Sequence, residues 1–466
     1  MHTTRLKRMI FCVTATGNFA AMLNASSVNI ALYKISQTFN VSVMQVQWVV
    51  LSYMIILTGL LTFFGRMGDM VDKRKLYAAG FALFGVGSVL SYFSGGFATL
   101  IASRAVQAVG GAILIANSFS IVSAVFKGKS RGRALGFLGA ATHLAAMTAP
   151  SLSGLLMNFF KWQSIFVPNI AISFAGMFLA LRFIPKSYGR AQMRADYGGT
   201  VLLVGGVAVL LLMIAQVPVW SWNSKETALC LGALIILFVL FGMRESAAKF
   251  PLIEFSLFAN RMFLFSNFAL GISYLAMGGN TILFPFYAQQ VLEKTPFITG
   301  VMIFPFSCCY LITAVSTGGL NARKRMLTGL FMMVLCLLAF SSAKARTPVW
   351  FLILVQGMMG AGNALFQPSV NLSVLNAAPK KDVGMASGIL SLFRNTGIAA
   401  GGVVAVSLFE AKQAQTAAIL PATESFLSGY RFSMVFGAFF GVLCFLLIYF
   451  SNKQKNPPVI VEKRGE

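Results

Sequence analysis

Residues 65–76 read GRMGDMVDKRKL, and five charges in seven positions (Asp69, Asp72, Lys73, Arg74, Lys75) interrupt a chain that is apolar on both sides. Flanking runs of some 20 apolar residues each are long enough to cross a bilayer, so the stretch reads as a short polar turn between two membrane helices. A plain cation-rich loop on the cytoplasmic side needs Lys73, Arg74 and Lys75 and nothing more. Gly65 and Asp69 add something. A glycine where a helix leaves the lipid lets backbones approach closely, and a carboxylate one turn on is placed to pair with a cation or a helix N-terminus. The turn therefore reads either as a topological anchor or as a hinge between moving parts.

Working outward, composition excludes a soluble protein. The 466 residues are 57% hydrophobic and 11% charged, with mean hydropathy +0.78. That charged fraction is about half the usual one. The net charge of +25 is not gathered in a soluble domain or tail, as nucleic-acid binding requires, so the cations belong to loops at a membrane surface. Cys12, Cys230, Cys308, Cys309, Cys336 and Cys444 all sit in apolar runs without ligand-like spacing. They read as small core residues, and neither a metal nor another cofactor is expected. Arg5, Lys7 and Arg8 precede an apolar run with no small-residue cleavage pattern, which predicts a retained first helix.

Apolar stretches fall near 10–32, 45–64, 76–94, 98–126, 133–158, 164–184, 197–217, 226–244, 263–287, 297–320, 325–343, 347–376, 383–409 and 430–451. They predict an all-α polytopic membrane protein of fourteen transmembrane helices. With both ends inside, about 27 of the 37 Lys and Arg lie on the cytoplasmic side and about 8 outside, which fixes the expected topology as N-in, C-in. Two internal echoes divide the chain. Arg133-Ala134-Leu135-Gly136 is matched by Met385-Ala386-Ser387-Gly388, and the 65–76 turn by the basic run at 318–325. Their order predicts two six-helix bundles, 1–184 and 263–451, with a linker and two inserted helices at 185–262 and a cytoplasmic tail at 452–466. Within the linker, FPLIEFSLF is expected to lie along the membrane surface.

The residues so placed resemble the major facilitator superfamily, and within it the fourteen-helix drug:proton antiporter branch. The resemblance rests on LNASSVNIAL at 23–32, Gln47-Trp48-Val49-Val50 with Tyr53, the Gly65–Lys75 turn and Arg104 with Gln107 and Gly110. Pro150 with Gly154, Trp162 with Ile165, Phe166 and Asn169, and Gly384–Gly388 with Arg394 complete it. It implies alternating access, in which two bundles rock about a central cavity, and a gate in which Asp69 engages the start of the thirteenth helix near Lys381–Gly384. Four positions depart from the family pattern. Asn24 stands where an Asp is usual, Met70 where an Arg, Asp72 where a Gly, and Ala149-Pro150 where a Gly-Pro pair is usual.

No Asp or Glu falls near mid-depth in any expected span, so the polar residues inside the membrane decide the chemistry. Asn24 and Arg104 both lie roughly 9 to 12 Å deep and are within reach of each other. Arg104 is read either as a brace satisfied by Asn24, Asn29, Gln107 and helix carbonyls or as a cavity residue. Arg394 lies near the midplane and is read either as paired with helix carbonyls or as a substrate contact, in which case it suits an anionic or zwitterionic group better than a quaternary amine. His143, also near the midplane, has the one intrinsic pKa close to physiological pH and is the expected carrier of any proton coupling. Asn267, Tyr274, Asn280 and Tyr287 on the ninth helix, and Gln356, Asn363, Gln367 and Asn371 in one stripe on the twelfth, face protein or water, as a cavity wall or as interhelical contacts.

The sequence thus predicts a secondary transporter in a bacterial-type plasma membrane, exporting amphipathic small molecules. The alternatives are a carrier or flippase for an anionic or zwitterionic metabolite or lipid, and a sensor or scaffold that does not transport. Expected partners are a small-molecule substrate, protons and membrane lipids, with no nucleic acid, and the chain is expected to be a monomer. No nucleophile with a base or carboxylate pair suggests an enzyme.

Overall fold

The structure is a computed structural model that describes residues 2–126, 129–186, 197–220, 224–247, 255–316, 321–379 and 383–451. Among the described residues it is all-helical. Fourteen helices have 17 residues or more: α1 His2–Phe39, α2 Trp48–Met70, α3 Lys73–Tyr92, α4 Phe97–Val125, α5 Lys129–Phe159, α6 Val167–Phe183, α7 Tyr197–Trp220, α8 Lys225–Ala247, α9 Arg261–Phe286, α10 Pro296–Ser316, α11 Ala322–Ser341, α12 Val349–Ala377, α13 Val383–Thr416 and α14 Ala422–Ser451.

Local chemistry sets the ends of these helices. After α1, Asn40 takes a left-handed conformation (φ 50°), the usual helix stop. Ser42 and Gln45 then form a reciprocal capping box on a short turn, Val43–Val46, that leads into α2. Asp72 is the N-cap of α3, accepting from the Arg74 amide at 3.0 Å. Asn321 caps α11 in the same way through the Arg323 amide at 2.9 Å. The helices that follow the two basic runs thus open on the same kind of side-chain cap. Asp72, where the family pattern has Gly, is explained by that cap.

The packing repeats as well. α1 lies against α4, α5 and α6, and α3 against α4 and α6; α9 lies in the same way against α12, α13 and α14, and α11 against α12 and α14. The two sets meet along two seams, α5 with α10 and α2 with α13. α7 packs on both helices of the second seam, and the Ser407 hydroxyl donates to its Ile214 carbonyl at 3.3 Å. α8 is mostly uncovered, with Leu229 74% exposed and Ile236 58%, as a lipid-facing helix requires.

Among the described residues eleven helices are long and apolar enough to cross a membrane by composition alone, fewer than the fourteen expected. α3 and α5 are not among them, and α7 contributes only a shorter apolar piece, Gly198–Ile214. Lys73, Arg74 and Lys75 open α3 and dilute it, and α5 is diluted by Lys129, Arg131 and Arg133 at its start and by His143, Pro150 and several Gly, Ser and Thr residues along it. The expected interfacial segment is described only from residue 255. There, Phe255–Ala259 is a 3₁₀ turn whose Leu257 is buried, with Phe258 packed on Phe263 and Phe393.

Candidate functional site

Between the two sets lies a cavity of about 510 Å³. α1 contributes Asn18, Met22 and Asn29, α2 and the residue before it Gln47, Tyr53 and Met54, and α4 Ile115 and Phe119. From the second set come Tyr274, Met277, Tyr310, Asn363, Gln367, Asn371, Arg394 and Asn395. Among these described lining residues Arg394 is the one charged group, and it is partly exposed. The Tyr310 hydroxyl donates to Gln367 Oε1 at 3.1 Å, fixing one wall. Amides, phenols and methionines around a single guanidinium offer hydrogen bonds, an apolar body and one positive charge.

The sequence-predicted residues divide between this cavity and its frame. Arg394, Asn363 and Gln367 line the cavity. Asn280 does not. It exchanges two amide hydrogen bonds with Gln356, at 3.3 and 3.2 Å, and joins α9 to α12. An isolated amide pair is what a membrane helix does with a polar residue it does not need for substrate. Arg104 is fully buried in the frame of the first set. Its Nη1 donates to Asn24 Oδ1 at 2.9 Å and, in a very short contact, to Gln107 Oε1; its Nε donates to the Val49 carbonyl at 3.1 Å. Gln107 donates onward to Ser88 at 2.7 Å, and Asn169 to Asn24 Oδ1 at 3.3 Å. The expected Asn24–Arg104 contact is present, whereas Asn29 turns to the cavity. Of the lining tyrosines, Tyr53 enters the sequence reading only through the family resemblance and Tyr274 only as one polar residue of the ninth helix, and Tyr310 escapes it. Their rarity, 11 tyrosines against 44 phenylalanines, was the available signal.

In the 65–76 turn, two described side chains reach partners in their own set. Lys73 Nζ donates to Ser120 at 2.6 Å on α4, and Arg74 Nη1 to the Leu181 carbonyl at 3.5 Å near the end of α6. Lys75 is exposed. Gly65 is not the close approach expected of it, since a Cβ there would meet Ala116 at an ordinary 3.9 Å. That role belongs to Gly68, one turn on, where a Cβ would run into Asn117, whose Nδ2 donates to the Phe64 carbonyl at 3.1 Å. The Asp69 and His143 side chains, and residues 381–382 with the side chains of 383–384 in the stretch Asp69 is expected to engage, lie outside the described residues.

The cavity is closed at the end where α1 finishes. Gln289 Nε2 donates to the Ile30 carbonyl at 3.1 Å, and Tyr33 meets Phe286 edge-on at 5.8 Å. The Met44 amide donates to Glu410 Oε1 at 2.6 Å. Toward the other end, where the α2–α3 turn lies, the cavity reaches Phe119, which is 44% exposed. The Glu410 contact is charge-assisted and spans the two sets. Glu410→Gln is expected to loosen this end and raise the thiol-labelling rate of an Ala288→Cys reporter, in an otherwise cysteine-free chain, about three- to tenfold.

Two like sets of helices closing at one end over an amphipathic cavity define a membrane carrier. The chain belongs to the Major Facilitator Superfamily, whose pattern matches residues 14–402 and 268–465. It is a transporter, not an enzyme. Over 410 residues it is 32% identical to the riboflavin transporter RibZ of Clostridioides difficile (strain 630), covering 86% of this chain and 88% of that one. Over 416 residues it is 30% identical to the multidrug resistance protein Stp of Mycobacterium tuberculosis (strain CDC 1551 / Oshkosh), covering 88% and 77%. The crystal structure of a peptide transporter POT in complex with sulfate has the same fold, with a TM-score of 0.66 at 15% identity over 94% of this chain and 93% of that one.

Proposed function

We propose that this carrier moves amphipathic small molecules by alternating access in a bacterial cytoplasmic membrane, and that its substrates are neutral or anionic. The observation that carries the substrate class is the cavity wall: one guanidinium, Arg394, among amides and phenols, with no carboxylate among the described lining residues. A lipophilic cation would enter such a site against its charge, with amide oxygens and ring faces but no counter-charge among the described lining residues to offset desolvation. Similarity to Stp supports export of the multidrug kind, and similarity to RibZ supports a neutral, hydrogen-bonding heteroaromatic such as riboflavin.

In this reading the fourteen helices all span the membrane with both ends cytoplasmic. The first set (1–184) and the second (263–451) rock about the cavity, 185–262 is an insertion, and 452–466 is a tail. The closed end is then external, and the present state faces inward. Gly65, Asp69, Lys73, Arg74 and Lys75 form the hinge at the cytoplasmic mouth.

Proteoliposomes loaded with riboflavin or fluorescein test the reading. Flux driven by an imposed pH gradient supports a proton-coupled exporter, and gradient-independent counterflow a facilitator. No flux of any solute class would leave only a sensor or scaffold. If protons are coupled through His143, His143→Ala is expected to abolish the gradient dependence while counterflow persists; unchanged gradient-driven flux would remove His143 from that role.

A further inference from the structure

We propose that the Asn24–Arg104 pair is a charge filter, a specificity determinant that acts on the cavity from behind its wall. The inference rests on the cavity being the transport route. Arg104 has no accessible surface, and all its side-chain partners are neutral: Asn24, Gln107, the Val49 carbonyl and the Tyr53 ring. Its Nη2 has no hydrogen-bond partner. No Asp or Glu occurs anywhere in α1, α3, α4, α5 or α6. In α2 the one acid, Asp69, is twenty residues from Val49, about 30 Å along the helix. Glu410 is held on the Met44 amide, five residues beyond Val49 toward the closed end, about 7 Å further along. The guanidinium charge is therefore without a contacting counter-charge in a low-dielectric frame.

Tyr53 transmits that charge to the substrate. Its ring covers the guanidinium at 4.4 Å from Arg104 Cζ, and the same residue lines the cavity. The ring itself has no accessible surface, so a ligand in the cavity meets the charge through this closed layer and at its nearest would lie about 8 Å from it. At an effective dielectric of about 20, one unit of ligand charge at that distance changes affinity about thirtyfold. Asn24 controls the field because its Oδ1 is a direct partner of the guanidinium. Aspartate there would have nearly the same shape and would cancel the charge.

The test compares two tricyclic dyes of similar shape and opposite charge, anionic fluorescein and cationic rhodamine 123, binding to the purified full chain in lipid nanodiscs. The parent is expected to prefer the anion. Asn24→Asp is expected to reduce the anion-to-cation affinity ratio about a hundred- to a thousandfold, because the anion loses and the cation gains up to about thirtyfold each, and Arg104→Gln, which removes the charge from the other side, to do the same. Asn24→Ser, which stays neutral, should leave the ratio near the parent's. A parent that prefers the anion with an unchanged ratio in both charge variants overturns the filter alone. Equal shifts in Asn24→Ser and Asn24→Asp overturn it too, because packing would then explain them. A parent that prefers the cation overturns the filter and the reading of the cavity together.

Discussion

Arg394→Met is expected to weaken binding of an anionic or carbonyl-rich substrate about 10- to 150-fold while leaving the melting temperature of the purified protein nearly unchanged. The magnitude follows from one charge-assisted hydrogen bond, which contributes about 1.5–3 kcal/mol when lost in a site that excludes water. The fold is spared because Arg394 is partly exposed to the cavity and is not part of the frame. Methionine also keeps the length and apolar stem of the side chain. Arg394→Lys is expected to fall between parent and Met, because it retains the charge and loses the planar fork. Equilibrium dye binding measures both. Parent-like affinity in Arg394→Met would show that the cavity guanidinium does not meet the substrate. Arg104 differs, since its loss removes three partners from a fully buried network and should cost stability as well.

These two arginines mark how far the sequence could be read. Hydropathy and charge located the helices, because a bilayer leaves a chain few other options, and α3 and α5 were recognised despite their basic openings. The Asn24–Arg104 contact was legible because two residues at similar depth on neighbouring helices have few partners to choose from. Asn280 was not separable from Asn363 and Gln367. All three are buried amides, and which of them faces the cavity depends on helix rotation, fixed only when α9 packs on α12. Gly65 and Gly68 were confounded for a related reason. They lie three residues apart on one helix face, and only the position of Asn117 on α4 selects Gly68. The docking of α7 across the α2–α13 seam had no sequence signal at all, because its apolar surface looks the same whether it meets protein or lipid.

Gly154→Leu is expected to cut transport to below about a tenth of the parent's without unfolding the protein, by preventing the closed end from closing. α5 meets α10 there backbone to backbone. A Cβ at Gly154 would run into the Pro296 carbonyl oxygen, and one at Gly300 would lie 2.5 Å from the Pro150 carbonyl oxygen. Pro150 leaves the α5 backbone without one amide donor in this region, and the small residues opposite allow the helices to meet. A leucine cannot be accommodated by rotating a side chain, because the obstructing atoms are main chain. Overpacking of this kind costs about 1–3 kcal/mol, enough to shift a two-state equilibrium roughly five- to 150-fold. The cost falls on the state in which the two sets touch, so they can separate at this seam without disturbing the packing inside either one. The labelling rate of the Ala288→Cys reporter should therefore rise in Gly154→Leu, as in Glu410→Gln and by more. Gly278→Leu is the contrasting case. A Cβ at Gly278 would run into the backbone of Gly401, between α9 and α13 of the same set. No rigid-body motion of the sets relieves that clash, so Gly278→Leu should lose folded protein. If Gly154→Leu behaves like Gly278→Leu, the α5–α10 contact is a permanent part of the core and not a seam that opens.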